Sequence, residues 1–324
     1  RILSLRPPEE RKQTRKLSEL IRVVNDRFEE REHSGGNVSG ISTGFDDLDF
    51  YTAGLQRGDL IIIAARSSMG KTILGMNIAR NVAGEGLVSA VFSLEMPGEA
   101  VTERLVAAQS SVSAHARRTG MLTWDDWKAI EQAGSILYDL PMVIDDNSST
   151  TPAYIRSKCK MIKAEYGGRL DLIVVDYLGL MNMGSSNNAE NRNIEIGNIT
   201  KSLKAMAREF DCPLILLCQI SRNVERREDK RPMLSDLRDS GNIEQDADVV
   251  LGIYRASYYA RQAAKASDPP PSTSDDSTTL TDEAEILILK QRNGPVGVSV
   301  KLGYEGRFFR FTNLPTAPEG APDF

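Results

Sequence analysis

Short apolar runs alternate along this chain with longer stretches in which apolar residues recur at helical spacing. The runs are Leu60-Ile61-Ile62-Ile63, Ser89 to Leu94, Met142-Val143-Ile144, Leu170 to Val175, Leu214 to Cys218 and Val249 to Tyr254. They are too short to span a bilayer and are nearly continuous in apolar character, which reads as strands buried in a parallel sheet. Between them lie helical patterns. Ile73, Leu74, Met76, Ala79 and Val82 share a face; a helix is expected from Pro97 to about Gln109; Thr123-Trp124-Asp125-Asp126 resembles a capping box before another. Thr151-Pro152 opens a helix that stops at Gly167-Gly168, and Ile194, Ile196, Ile199, Leu203, Met206 and Phe210 mark a long one. This alternation predicts an α/β fold with a mostly parallel, twisted sheet and helices on both faces.

The two ends break the pattern. Arg1 to Lys16 is polar with Pro7-Pro8 and reads as a linker; Leu17, Leu20, Ile21, Val24 and Phe28 then mark an amphipathic helix to about Arg31. That stripe packs either on its own domain or on another subunit. The abrupt start at Arg1 suggests a fragment of something longer. Residues 266–282, with Pro269-Pro270-Pro271 and many Ser, Thr and Asp, are expected to form a mobile surface loop. Ala284 to Leu289 resumes as a strand, and Asn293-Gly294 predicts a tight turn into the alternating Val296, Val298, Val300 and Leu302. This makes a C-terminal β-hairpin, closed by Phe308, Phe309 and Phe311. The expected division is a linker over 1–39, one domain over 40–312 and a flexible tail over 313–324.

Composition changes this picture little. The 324 residues suffice for one large α/β domain, and a net charge of −5 gives no bulk support for nucleic-acid binding, so any such site must be a local patch. Cys159, Cys212 and Cys218 form no close pair, and His33 and His115 are too few for a zinc site. With no long apolar run and no signal peptide visible, a cytoplasmic location is expected.

The chemistry concentrates where strands end. After Leu60–Ile63 comes the small, polar segment Ala65-Arg66-Ser67-Ser68-Met69, then Gly70-Lys71-Thr72 and a helix. Strand, small-residue loop, Gly-Lys-Thr and helix is the P-loop arrangement, which offers loop N–H groups and a helix N-terminus to phosphates. Lys71 can reach β- and γ-phosphates, and Thr72 can place its hydroxyl on Mg²⁺. Ala65 stands where the general pattern has a glycine; a left-handed backbone there would cost about 1 kcal/mol. Asp176 follows four apolar residues and is placed to hold the metal. Glu95 ends another strand and is either a base for an attacking water or a solvated strand end. Gln219 ends a third, and either senses the γ-phosphate or satisfies loop backbone. Arg222 to Gly241 mixes both charges, which suits a solvated face, although its amides could also track a phosphate backbone. Lys290 and Arg292, two apart on an extended segment, point the same way; they are a solvated hairpin end or a pair of cations for a γ-phosphate across an interface.

Taken jointly, Thr52 to Gln56, AARSSMGKT, FSLEMP at Phe92 to Pro97, VVDYLGLM at Val174 to Met181, Gln219, SDLRDSGNIEQDAD from Ser235 to Asp248 and KQRNGPVG from Lys290 to Gly297 resemble the DnaB-type replicative helicases in order and spacing. The resemblance runs from about Gly40 to Phe311. It implies a RecA-like P-loop NTPase core, a homohexameric ring around single-stranded DNA, ATP with Mg²⁺ at subunit interfaces and 5′-to-3′ movement. It further implies that Ala65 to Thr72 bind nucleotide, that Glu95 activates water, that Thr72 and Asp176 serve the metal and that Gln219 couples nucleotide to DNA. Arg238, Asp239 and Gly241 fall where the family contacts DNA phosphates, Lys290 and Arg292 where it reaches the neighbour's ATP, and the Leu17–Phe28 helix where its linker docks on the adjacent subunit. Primase and a helicase loader are the implied further partners. Ser67 stands where proline is common, Asp239 where Glu is frequent, the insertion after Ala266 is long, and the collar domain that binds primase is not among these residues. A filament-forming, RecA-like recombinase and a non-catalytic DNA clamp or loader ring are the competing readings; the Lys290/Arg292 tip argues against the first and Glu95 against the second.

Overall fold

The computed structural model describes residues 16–19, 21–22, 24–25, 38–176, 189–237, 240–266 and 282–315. Most of the expected linker, the proline-rich stretch after Ala266, the tail from residue 316, residues 177–188 and the candidate DNA residues Arg238 and Asp239 lie outside them.

In chain order the elements are α1 (Asp46–Thr52), β1 (Leu60–Ala65), α2 (Lys71–Gly84), β2 (Ser89–Ser93), α3 (Gly98–Ser110), α4 (Ala114–Thr119), α5 (Trp124–Tyr138), β3 (Met142–Asp145), α6 (Pro152–Glu165) and β4 (Leu172–Asp176). There follow α7 (Ala189–Phe210), β5 (Leu214–Gln219), α8 (Ser240–Asp246), β6 (Val249–Tyr254), α9 (Ala256–Ala266), β7 (Asp282–Gln291), β8 (Ser299–Glu305) and β9 (Arg310–Asn313). Thr123 caps α5 through a reciprocal box with Asp126, and Thr151 caps α6 with Pro152 in its first turn, as the sequence signals predict.

Among the described residues the strands form one sheet in the order β3-β2-β4-β5-β1-β6-β7-β8-β9. The first six are mutually parallel, and β7, β8 and β9 add an antiparallel meander at one edge. Strand β5 lies between β1 and β4, so the P-loop strand and the Asp176 strand are not direct neighbours. The continuous apolar runs are explained by burial on both faces. On one face Leu60, Ile62 and Ala64 pack with Ile155 and Cys159 of α6 and Leu203 and Met206 of α7. On the other, Ile61, Ile63 and Ala65 pack with Leu74 and Ile78 of α2 and Leu48 of α1. Each fully buried Leu or Ile contributes roughly 1.5–3 kcal/mol, so β1 alone anchors much of the core. Ile194 departs from its expected place: it is 61% exposed, and the core stripe of α7 begins at Ile196.

Two other expectations change on contact with the structure. The hairpin between β7 and β8 exists, but Asn293-Gly294 is not its tight turn. Strand β7 pairs with β8 only as far as Leu287↔Ser299, then continues along β6 to Gln291, so residues 292–298 form a longer loop whose left-handed glycine is Gly297. Asn313, placed in the tail by the sequence, ends β9 and accepts the Asp46 amide at 3.1 Å. Leu17, Ile21 and Val24 are helical and exposed, so these members of the N-terminal stripe do not pack into the domain.

All three cysteines are buried. Burial disfavours the thiolate, pushing Cys212 and Cys218 up to about 12 and raising Cys159 as well. In native protein at pH 8, a maleimide is therefore expected to label none of them within an hour, and all three after denaturation. Mass spectrometry reads both states, and rapid native labelling would contradict this packing.

Candidate nucleotide site at the ends of the parallel strands

The P-loop is built by a change of backbone hand. β1 ends at Ala65 in ordinary strand geometry, so the expected strain at that position does not arise. Ser68 (φ 66°) and Gly70 (φ 103°) take the left-handed conformations, and α2 starts immediately after them. A glycine is required at 70 for a second reason, since a Cβ there would sit 2.9 Å from the Phe311 ring. No side chain caps α2, leaving its first N–H groups directed at an incoming anion.

Lys71 and Thr72, the first residues of α2, converge on Asp176 at the end of β4. Thr72 Oγ1 donates to Asp176 Oδ2 at 2.6 Å, and Lys71 Nζ stands 3.1 Å from Oδ1. Asp176 is fully buried, and although Oδ1 lies beside the ammonium it has no aligned hydrogen-bond donor. A carboxylate oxygen in that condition is a natural ligand for a hard cation, alone or through a water. The buried acid is thus faced by the Lys71 ammonium, which offsets its charge.

Glu95 lies just past β2, exposed on the same cleft, and the Leu94 amide beside it is bonded to the Asp176 carbonyl at 2.6 Å. The cleft encloses about 510 Å³ and brings together Ser67, Ser68, Lys71, Thr72, Glu95 and Gln219. Gln219 Nε2 donates to Ser67 Oγ at 2.8 Å, so the β5 amide is already in contact with the P-loop. Arg66 differs from its neighbours. Its guanidinium, 10% exposed, is engaged by Glu225 and by the Ile220 carbonyl. Met69 is 1% exposed and packs in the core.

The cleft also contains residues to which the sequence reading gave no ligand role. Tyr304, Phe309 and Arg104 line its far side, with the Arg104 guanidinium 5.1 Å from the Phe309 ring centre. Arg255, 4% exposed, stacks 3.6 Å over Tyr304, pairs with Asp282 and donates to the Ser68 carbonyl at 3.3 Å. The closely spaced Phe308, Phe309 and Phe311 were the one signal available, and read from sequence they pointed only to domain closure.

Lys290 and Arg292 are nowhere near this cleft. They stand at the opposite ends of the same strands. Arg292 NH donates to the Asp248 carbonyl at 3.0 Å, while the Asp248 carboxylate accepts the Leu60 amide at 2.8 Å where β1 begins. The length of β1, about 3.3 Å per residue, therefore separates the pair from its own P-loop. Both point the same way, as expected. Lys290 Nζ binds the Ala247 carbonyl at 2.8 Å and that of Glu244; Arg292 reaches the Gln245 carbonyl at 2.9 Å and Asp248 at 3.3 Å. Burial, and secondarily the neighbouring Arg292, lower the Lys290 ammonium from its usual range. Beside them a second cavity of about 400 Å³ is lined by Thr52, Gly54, Gln56, Asp59, Gln291 and Arg292, among others.

Much of the mixed-charge stretch after Gln219 is paired internally. Arg227 binds Asp236 at 2.7 Å and Arg231 holds Glu285 through both ends of its fork, at 2.8 and 2.9 Å. Arg222 and Arg226 stay exposed. Gly241 lies in the first turn of α8, while Arg238 and Asp239 are outside the described residues.

A P-loop whose lysine and hydroxyl meet a buried strand-end acid, with a free-standing glutamate one strand further out, defines a nucleotide-using ATPase of the RecA fold. The chain belongs to the DnaB-like helicase C terminal domain family, which matches residues 40–313. It is 42% identical over 299 residues to the replicative DNA helicase DnaB of Geobacillus stearothermophilus, covering 92% of this chain and 62% of that one. The replicative DNA helicase DnaB of Pasteurella multocida is 45% identical over 300 residues, covering 91% and 60%. The chain thus spans about three-fifths of the length of these relatives. Among solved structures, the ATPase domain of G40P superposes with a TM-score of 0.81 at 34% identity, covering 93% of this chain and all of that one. A DnaB-like replicative helicase, studied with its primase interactions, gives a TM-score of 0.78 at 34% identity, covering 93% and 68%.

Proposed function

We propose that this chain is the ATP-hydrolysing motor of a replicative DNA helicase, a cytoplasmic ring of six copies that moves 5′ to 3′ on single-stranded DNA and opens duplex at the fork. One observation carries the reading: Lys71, Thr72, Asp176 and Glu95 form one half of a phosphate site at one end of the sheet, and Lys290 and Arg292 offer two cations at the other. Neither half can complete the other within one copy. Copies arranged head to tail can.

In this reading the amides of Ala65 to Gly70 and the start of α2 receive the phosphates, and Lys71 transfers from Asp176 to the β- and γ-oxygens. Tyr304, Phe309 and Arg104 offer the flat apolar wall that a base requires. Mg²⁺ suits Thr72 and Asp176, since the Asp176 oxygen without a hydrogen-bond donor is buried beside the threonine hydroxyl. When bound, the metal neutralises phosphate charge. Glu95 orients and deprotonates the attacking water, and Gln219 reports the γ-phosphate through Ser67. Arg238, Asp239 and Gly241 take DNA phosphates, the exposed Leu17, Ile21 and Val24 stripe docks on the next copy, and primase and a loader are further partners. No helix among the described residues is long and apolar enough to cross a membrane.

The test pairs ATP hydrolysis, with and without single-stranded DNA, with unwinding of a fork carrying a free 5′ tail. Stimulated hydrolysis and strand displacement are expected from particles that appear as closed rings in negative stain. Helical filaments that pair strands would instead indicate a recombinase, and ATP-binding rings without hydrolysis would indicate a clamp.

A further inference from the structure

Three consecutive P-loop residues hold the chain that leaves β5. The Ala65 carbonyl accepts the Ile220 amide at 3.1 Å, Arg66 donates to the Ile220 carbonyl at 3.1 Å, and Ser67 accepts from Gln219. Arg66 then reaches further. Its Nε and a terminal nitrogen both lie 2.8 Å from Glu225 Oε1. Glu225 belongs to the short 3-10 turn Arg222–Arg226, a conformation too brief to stand by its own propensity. That turn is fixed by buried Val224, by the Ser221 hydroxyl cap and by Arg66. It presents Arg222 and Arg226 to solvent on either side of Glu225. The chain returns through an antiparallel bridge between Ile220 and Leu237, so the segment from 220 to 237 is a closed loop whose root is gripped by the P-loop.

A guanidinium that is nearly buried and whose partners are a carboxylate and a carbonyl is committed to those partners, not to a phosphate. We propose that Arg66 is a coupling residue: through Glu225 and Ile220 it carries the state of the P-loop to the 220–237 loop, and so makes the grip on single-stranded DNA depend on the nucleotide. This rests on the reading of the chain as a DNA motor. Gln219 alone has been assigned that task by family resemblance. The Arg66–Glu225 link adds a second, charge-assisted connection that enters the loop on its exposed side. The pair joins a nearly buried guanidinium to a carboxylate that is 43% exposed, so it fixes where the loop stands against the P-loop.

The discriminating variant is Glu225→Ala, because Glu225 is outside the nucleotide cleft and 43% exposed. The full chain is titrated with a fluorescent oligo-dT, with and without a non-hydrolysable ATP analogue, and hydrolysis is measured in parallel. Coupling between sites is typically about 5- to 150-fold and must be reciprocal. In Glu225→Ala the ratio of DNA affinities with and without the analogue is expected to fall toward one, with DNA-stimulated hydrolysis lost. DNA-free hydrolysis should stay near its wild-type value, and Glu225→Ala, although its melting temperature falls because the buried Arg66 loses its carboxylate, should remain folded by circular dichroism at the assay temperature. Glu225→Gln, which keeps an acceptor for Arg66, should recover part of the ratio. A Glu225→Ala ratio equal to wild type, with stimulation intact, would overturn the proposal and leave the motor reading standing. A wild-type chain with a ratio of one and no stimulation would sink both.

Discussion

Replacing Glu95 by Gln is expected to slow ATP hydrolysis by about 10²- to 10⁴-fold, the range lost when a positioned general base is removed. Nucleotide affinity should change little, because the groups that hold phosphate are elsewhere. In the proposed site Lys71, Thr72 and the start of α2 supply binding, and Glu95 stands across the cleft from them on an exposed turn after β2. The amide preserves the shape and size of the side chain and removes its basicity, so the loss should appear in kcat with KM nearly constant. The turn itself is held by the hydrogen bond from Leu94 to the Asp176 carbonyl, which this substitution does not disturb. A loss below tenfold, with the fold intact by circular dichroism, would mean that Glu95 is the solvated strand end that its sequence position equally allows.

The other large effect is expected at Arg292. An arginine supplied across an interface is worth about 10³–10⁵ in rate, and Arg292→Ala should lose most of that while its own cleft still binds ATP normally. The position of Arg292 at the beginning of β1 and β6 makes a sharper test possible. Arg292→Ala alone and Lys71→Ala alone should each be inactive, the first lacking the donated cation and the second the phosphate-binding lysine. Assembled together at equal ratio, they should regain hydrolysis, because some interfaces then join an intact P-loop to an intact Arg292. If Arg292 served its own P-loop, no mixture would recover. The side chain is half exposed and held through Nε and one terminal nitrogen, leaving it well placed to exchange Gln245 and Asp248 for a phosphate.

The strands of the parallel sheet could be read from sequence because burial on both faces forces long apolar runs, and Leu60–Ala65 and Leu172–Val175 show no alternation to confuse the period. The P-loop could be read because Gly70-Lys71-Thr72 follows such a run and precedes a helix. Strand order could not. That β5 intervenes between β1 and β4 is decided by pairings distant in sequence, Leu60 with Leu214 and Ile173 with Leu214, and no local pattern encodes it. The Asn293-Gly294 dipeptide misled for a similar reason: β6 keeps β7 extended past the point where β8 leaves it, and tertiary pairing overrides turn preference. Arg66 looked like one more loop residue beside the phosphates, and its partner Glu225 is distant in sequence and hidden in a run of mixed charge. Tyr304 and Arg104 carry no motif, since a flat apolar wall can be assembled from almost any aromatic and arginine that the fold brings together.

The antiparallel pair β6–β7 has one property that matters beyond its own stability. At one end, Arg255, paired with Asp282, clasps Tyr304 and the carbonyl of Ser68; at the other, Lys290 and Arg292 reach along the end of the sheet beside the buried Asp248. Two hydrogen-bonded strands resist stretching far better than a chain of packed rotamers does. In the proposed ring the pair would act as a strut with a nucleotide at each tip, the near one belonging to its own copy and the far one to the next. Sites joined by such struts would be wired in series. A copy that shifted around its own nucleotide would displace the cations it lends to its neighbour, so the order of firing would be set by the stiffness of the ladder.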